Sequence, residues 1–159
     1  MKNKLVFHGK SIEVKLTDNA LAKTKELGSA LLFEIQIYFS CLLVKRLAIY
    51  ADEPVDGTWQ LETEQFKELL NDSLNVSDKL FIRFNTVMTK MCPVDDYIGP
   101  PPVTDFKISR ESAFVPQWLT IDYNKGQWVG NYGWASSSKK QSNTIQIRAG
   151  AVRNEGKLL

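Results

Sequence analysis

Short apolar runs alternate with polar positions along much of the chain, with the period of two that is typical of half-buried β-strands. Residues 5–16, LVFHGKSIEVKL, show the pattern on both sides of a His-Gly pair. We interpret them as a hairpin with a four-residue loop over residues 8–11. In that register Phe7 pairs with Ile12, and the apolar side chains share one face.

The longest apolar stretch, residues 30–51, contains no turn residue. Strict alternation from Phe33 to Phe39 favours a strand. The length of the run is also typical of a helix, so a buried helix is the alternative. Because the polar positions do not gather on one helical stripe, we predict a long strand with a bend or bulge near Cys41–Leu43. Its charged residues are too many for a membrane span.

Two short segments carry helical signals. Asp18 can cap a helix over ALAKTKEL, and Gly28 would end it in a left-handed conformation. Thr63 begins a second helix, EQFKELLNDS, whose apolar residues lie on one side.

The remaining segments predict more strands and one long connection. Strands are expected at TWQL, DKLFIRFNTV and NTIQIRAGAV, followed by a tail over residues 153–159. Residues 92–116 hold five of the six prolines and predict a long loop with a short strand at residues 106–108. Long loops of this kind are often functional.

These elements predict an α+β fold leaning to all-β, in which hairpins build one antiparallel sheet or two packed sheets with about two short helices on one side. A chain of 159 residues fits a single globular domain over residues 1–159. It is long enough to bury a core without disulfide bonds.

Residues 117–134, QWLTIDYNKGQWVGNYGW, hold three of the four tryptophans. A hairpin in which Tyr123 lies opposite Trp128 would place most of these aromatic side chains in the core and leave Trp118 facing outwards. A slip of one residue would instead gather the tryptophans on an exposed face. We predict the first register, with a four-residue loop after Tyr123, because it separates apolar from polar positions more cleanly.

Composition and charge exclude several classes of protein. Two separated cysteines and a single histidine rule out a disulfide framework and a zinc module. The charged N-terminal segment is not a signal peptide, so we expect a soluble cytoplasmic protein with no membrane association. Residues 51–78 carry eight acidic side chains against one lysine, whereas both termini are basic. We interpret this as mutual compensation in a chain of net charge +2.

Few residues are candidates for a catalytic or ligand-binding role. His8, in a predicted turn, is interpreted as an ordinary exposed residue. The weak catalytic candidates are a thiol beside a lysine, a loop thiol, and paired carboxylates beside a tyrosine that suit general acid–base chemistry: Cys41, Cys92, Asp95, Asp96 and Tyr97. The weak ligand-binding candidates are an aromatic ring and three lysines: Trp118, Lys125, Lys139 and Lys140. No metal or cofactor is expected, because no phosphate-binding or metal-binding motif is present.

Three functions follow from this inventory. The first expectation is a non-catalytic binding or assembly module that contacts a protein partner or forms a homo-oligomer. The first alternative is a small cofactor-free enzyme or small-molecule binder that uses residues 92–116. The second is a binder of single-stranded nucleic acid through residues 117–134, although a net charge of +2 gives it little electrostatic support.

Overall fold

A computed structural model of the protein describes residues 1–39, 43–88, 104–105, 110–134 and 145–148. These ranges contain eleven strands, two α-helices and one short 3-10 helix. In chain order the elements are β1 (Lys2–Phe7), β2 (Lys10–Leu16), α1 (Asp18–Thr24), β3 (Leu31–Phe39), β4 (Leu43–Ala51), β5 (Trp59–Gln60), α2 (Thr63–Asn71), β6 (Leu74–Ser77), β7 (Leu80–Met88), β8 (Thr104–Asp105), the 3-10 helix (Glu111–Phe114), β9 (Trp118–Asn124), β10 (Gln127–Gly133) and β11 (Ile145–Arg148).

The strands form two sheets. The first has the order β1-β2-β9-β10-β11, and the second has the order β5-β4-β3-β7-β6. β8 also pairs with β7, through Val87 and Met88, beyond the part of β7 that pairs with β6. Three pairs are parallel, β2 with β9, β3 with β7 and β4 with β5, and the others are antiparallel. The predicted class, α+β leaning to all-β, is confirmed.

The two sheets enclose one main core. Alternate residues of β2, β3, β4, β7, β9 and β10 are buried together in it, as the period-two pattern requires. Gly130 marks a close approach between the sheets, because an added Cβ would overlap with Cδ2 of Leu47. α2 packs Phe66 against Leu32 and Tyr50 on the opposite face of the second sheet. In the described ranges no helix is both long enough and apolar enough to cross a membrane.

The aromatic hairpin has the predicted register. Tyr123 pairs with Trp128, and Trp128 and Tyr132 are fully buried. The turn is tighter than expected, because Asn124 also pairs with Gln127 and only Lys125-Gly126 remain between the strands. Both turn residues have positive φ, as a type I′ turn requires.

Three further sequence predictions are corrected. Residues 30–51 form not one bent strand but two, because β3 and β4 pair antiparallel from Leu32 with Tyr50 to Phe39 with Leu43. The first hairpin also has a two-residue turn, so Phe7 pairs with Lys10 rather than with Ile12. The shift is two residues, and the apolar side chains therefore stay on one face.

The third correction concerns α1. Thr17, not Asp18, is the N-cap, since its hydroxyl accepts a hydrogen bond from the backbone N–H of Ala20. The helix ends at Thr24, with Lys25 as its C-cap, before Gly28, which does not adopt a positive φ. The sequence reasoning also missed β6, while the predicted strand at residues 106–108 lies outside the described residues.

Candidate ligand-binding cleft

A cleft of about 520 Å³ lies where the turn between β1 and β2 meets the 3-10 helix and the outer edge of β7. We call it the edge cleft. Its volume falls within the range of about 300–1,000 Å³ that is common for small-molecule sites. It is lined by residues of both sheets, of α2 and its C-terminal turn, and of the 3-10 helix: Val6, Phe7, His8, Asn71, Asp72, Ser73, Leu74, Arg83, Phe84, Asn85, Thr86 and Glu111.

His8 reaches the edge cleft from the type I′ turn of the first hairpin. Its φ is +52° and that of Gly9 is +78°, so the chain reverses within two residues. The imidazole ring packs edge-to-face on Phe84 of the other sheet, with ring centroids 5.7 Å apart. Its Nδ1 atom lies 2.7 Å from Oε2 of Glu111, at the start of the 3-10 helix. Three separate segments therefore fix the position of this ring.

Arg83 forms the opposite wall of the edge cleft and connects it with the interior. Its side chain is 9% exposed and pairs with Glu34, its neighbour in the parallel ladder between β3 and β7. On the solvent side, Nη2 lies 3.2 Å from Oδ2 of Asp72, whose own side chain is 78% exposed. Arg83 thus bridges a buried and an exposed carboxylate.

A buried hydrogen-bond network continues from Glu34 along the same face of the second sheet. The side-chain amide of Gln36 donates to Oε1 of Glu34 at 2.5 Å and to the hydroxyl of Tyr50 at 2.9 Å. The hydroxyl of Tyr38 donates to Oε1 of Gln36 at 2.5 Å. Burial raises the pKa of Tyr38 to about 12 and also raises the pKa of Tyr50. A satisfied network of this kind fixes side-chain orientation, and so it holds Arg83 in place.

Most of the site residues predicted from the sequence cannot be compared with the edge cleft. The following lie outside the described residues: Cys41, Cys92, Asp95, Asp96, Tyr97, Lys139 and Lys140. Lys45, the expected neighbour of Cys41, lies with Nζ 4.1 Å from the ring centroid of Trp134, and burial lowers its pKa.

The two described ligand-binding candidates lie elsewhere. Lys125 is exposed in the β9–β10 turn, and Trp118 is partly exposed and packs over Gly133. Neither lines the edge cleft. Because Trp128 and Tyr132 are fully buried, they offer no surface for stacking with bases.

The sequence reasoning missed the residues that form the edge cleft. His8 was interpreted as an ordinary turn residue, and Asp72, Arg83 and Glu111 were not singled out. One signal was available: Arg83 lies in an apolar strand, and Glu34 lies at a matching position in another. No sequence signal indicates that His8 meets Glu111, because the contact depends on how the two sheets pack.

Within the described ranges, no group of three or more histidine, cysteine or acidic side chains is placed to hold a metal ion. Comparison of the chain with protein-family models, with curated proteins and with solved structures found no significant match.

Proposed function

We propose that the protein binds a small, uncharged polar molecule in the edge cleft. The observation that carries this proposal is the convergence of both sheets, α2 and the 3-10 helix on one cleft of about 520 Å³. Glu111 belongs to residues 92–116, the segment that the sequence suggested as a ligand-binding loop. Clefts with apolar walls and a few well-placed polar groups are the usual form of small-molecule sites.

The arrangement of charge supports an uncharged ligand. Glu111 is paired with His8, and Asp72 is paired with Arg83, which also binds Glu34. Each of these carboxylates therefore already has a nitrogen-bearing side chain as a neighbour, and a ligand need not supply one. The side-chain amide of Asn71 can donate to and accept from hydroxyl groups, and the carboxylates can accept hydrogen bonds from them.

The apolar part of the wall supports a ligand that also has a carbon surface. Phe84, Val6 and Leu74 line the same cleft. Their contacts favour a molecule with C–H groups beside its hydroxyls, because burial of apolar area stabilises a complex. A polyol or a sugar-like compound combines both properties.

Titration by NMR tests the proposal. Spectra of the ¹⁵N-labelled protein are recorded with D-glucose, myo-inositol and glycerol, up to tens of millimolar. We expect at least one of them to cause saturable shifts confined to residues of the edge cleft. The Asp72→Asn variant should weaken them, whereas Lys125→Asn, in the distant turn, should not. Shifts that are absent for all three compounds, or that spread evenly over the surface, would contradict the proposal.

Self-association or protein contact is the second candidate. One row of apolar side chains favours it: Leu43 and Met88 are 37% and 42% exposed, and both are in register with Phe39 between them. Light scattering after size exclusion measures the mass directly. We expect a dimer or a larger species in the wild type and a shift towards monomer in Leu43→Ser/Met88→Ser. A wild-type monomer would refute self-association.

A further inference from the structure

Asp72 contacts one edge of the Arg83 guanidinium at the edge cleft, which both residues line. Its Oδ2 atom accepts a hydrogen bond from Nε of Arg83 at 3.3 Å and lies 3.2 Å from Nη2. These two nitrogens form one of the planar forks through which arginine binds carboxylates and phosphates. Asp72 therefore holds the position that an anionic ligand would take on this edge of Arg83.

The two carboxylates that bind Arg83 differ in their exposure to water. The side chain of Glu34 is 5% exposed and accepts hydrogen bonds from Nη1 of Arg83 and from the amide of Gln36. The side chain of Asp72 is 78% exposed, and both of its contacts with the guanidinium use the same oxygen. Glu34 therefore fixes the guanidinium from the interior, whereas Asp72 places a negative charge at the cleft.

The wall of the edge cleft carries an excess of acidic groups. Its ionisable lining residues are His8, Asp72, Arg83 and Glu111, and Glu34 adds a third carboxylate behind Arg83. Even with a protonated imidazole, three carboxylates are balanced by only two cations. A concave surface with this sign of charge disfavours anions, and neutral molecules do not experience the repulsion.

We propose that Asp72 is the specificity-determining residue of the edge cleft and excludes ligands that carry a carboxylate or phosphate group. An anion has to displace Asp72 from Arg83 and also remain close to its charge, whereas a polyol has to do neither. Such a repulsive element is a common way to obtain specificity, which is a difference between two affinities. The proposal rests on the binding function above, because it concerns the choice of ligand in the same cleft.

Paired ligands give the first test. D-glucose is compared with D-glucuronate, and myo-inositol with myo-inositol 1-phosphate, by NMR titration of the ¹⁵N-labelled protein. Each acidic compound differs from its neutral partner by one anionic group. We expect the wild type to prefer the neutral member about tenfold, the effect of one nearby unit charge at a protein surface. Asp72→Asn should remove this preference, because it keeps the shape and an acceptor oxygen but not the charge.

The matched control is Asp56→Asn, which makes the same change in net charge. Asp56 is exposed between β4 and β5 and does not line the edge cleft, so this variant should keep the wild-type preference. Equal affinity ratios in wild type and Asp72→Asn, or an equal change in Asp56→Asn, would overturn the role of Asp72. Raising NaCl from about 20 mM to about 300 mM should weaken the wild-type preference, because salt screens exposed charges. A preference that does not change with salt would also contradict exclusion by charge.

Inorganic phosphate gives a second test that does not depend on a sugar. We expect no saturable shifts at the edge cleft in the wild type or in Asp56→Asn. Asp72→Asn should gain such shifts, including that of the Nε–H signal of Arg83, and Asp72→Ala, which also removes the acceptor oxygen, should gain at least as much. Phosphate binding in the wild-type cleft, or no gain in either Asp72 variant, would overturn the proposal.

The two proposals fail in different ways. Phosphate binding gained in Asp72→Asn, without cleft shifts for any neutral compound, would overturn the binding function and leave the exclusion of anions by Asp72. Binding of a neutral compound with an unchanged affinity ratio and no gain of phosphate binding would overturn the role of Asp72 and leave the binding function.

Discussion

The two hairpins of the first sheet turn in the same way but serve different purposes. His8-Gly9 has φ angles of +52° and +78°, and Lys125-Gly126 has +51° and +77°. The β9–β10 hairpin is flanked by strands on both sides, whereas β1 is the edge strand of the described sheet. One turn consequently points into solvent, and the other reaches the second sheet through His8. Both hairpins contribute residues to the core, and the position in the sheet, rather than the turn itself, decides which of them also forms the edge cleft.

The largest difference in unfolding free energy is expected when an aromatic residue of each hairpin is replaced by alanine. Trp128 is fully buried, while Phe7 is half-buried at the cleft. Trp128→Ala should lower the free energy of unfolding by about 3–5 kcal/mol, because it leaves a large core cavity. Phe7→Ala should cost about 1–2 kcal/mol, because less apolar area is lost. Urea denaturation followed by circular dichroism measures both, and equal losses would remove the distinction between the hairpins.

The two hairpins should also differ in how they affect the free energy of unfolding at alkaline pH. Burial raises the pKa of Tyr132 well above its ordinary value, and β1–β2 contains no tyrosine. Above about pH 10 the unfolded chain releases this proton while the folded protein keeps it, so the free energy of unfolding falls with pH by up to about 1.4 kcal/mol per unit. Tyr132→Phe removes that contribution. Urea denaturation at about pH 7 and about pH 11 should therefore show that the unfolding free energy falls less between these pH values in the variant than in the wild type.

The same substitution has an expected effect at neutral pH. The Tyr132 hydroxyl is buried and has no hydrogen-bond partner in the described part of the chain. Its removal should stabilise the protein by up to about 1 kcal/mol, since an unsatisfied buried group is costly.

The control for the alkaline-pH prediction is Phe7→Leu, in the other hairpin, which should retain the wild-type dependence of the unfolding free energy on pH. A wild-type pH slope in Tyr132→Phe would show that the hydroxyl is accessible to water.

Alanine substitutions at the two turn glycines should destabilise the protein by similar amounts. Gly9 and Gly126 both have positive φ and open space around the Cβ position. Gly9→Ala and Gly126→Ala should each cost about 1–2 kcal/mol, the penalty of a left-handed conformation for a residue with a Cβ. Thermal unfolding of the two variants tests this equality. A clear difference would mean that tertiary contacts, and not only backbone geometry, constrain one of the turns.

The smallest effect on stability is expected from asparagine substitutions at the first central position of each turn. Asparagine is favoured at the first central position of a type I′ turn. Lys125→Asn should therefore stabilise the protein by about 0.5 kcal/mol, a fraction of the roughly 1–2 kcal/mol that a left-handed conformation costs most residues. His8→Asn gains the same preference but loses the contacts with Glu111 and Phe84, which are together worth up to about 1 kcal/mol. Differential scanning calorimetry should give a lower melting temperature for His8→Asn than for Lys125→Asn, and the reverse order would argue that those contacts contribute nothing.

Local patterns predicted much of the secondary structure. Alternation identified the strands around Ile12, Phe33, Ile82 and Trp128, and the separation of apolar from polar faces predicted the register of the aromatic hairpin. The hairpin between β3 and β4 was missed, because the sequence between the two strands, residues 40–42, contains no glycine, proline or asparagine. Chain reversal normally depends on such residues for its sequence signal.

The edge cleft was not predicted for a different reason. It is formed by contacts between sheets, and a pattern along one strand does not contain them. The pairing of β3 with β7 places Glu34 beside Arg83, and the packing of the two sheets places His8 beside Glu111. The candidates that the sequence did suggest came from residue type and local spacing, and the two that are described, Trp118 and Lys125, do not line this cleft.

The parallel pair between β2 and β9 has a consequence for the order of folding. It joins strands far apart in sequence, and Thr17 and Asp122, just beyond the pair, are separated by 105 positions. At a synthesis rate of about 5–20 residues per second, the first hairpin emerges about 5–20 s before its partner strand. During that interval β2 has one unprotected edge, and its lysines, Lys10 and Lys15, oppose pairing with another chain. The first sheet is therefore completed late, and closing it is the step that we expect to limit the folding rate.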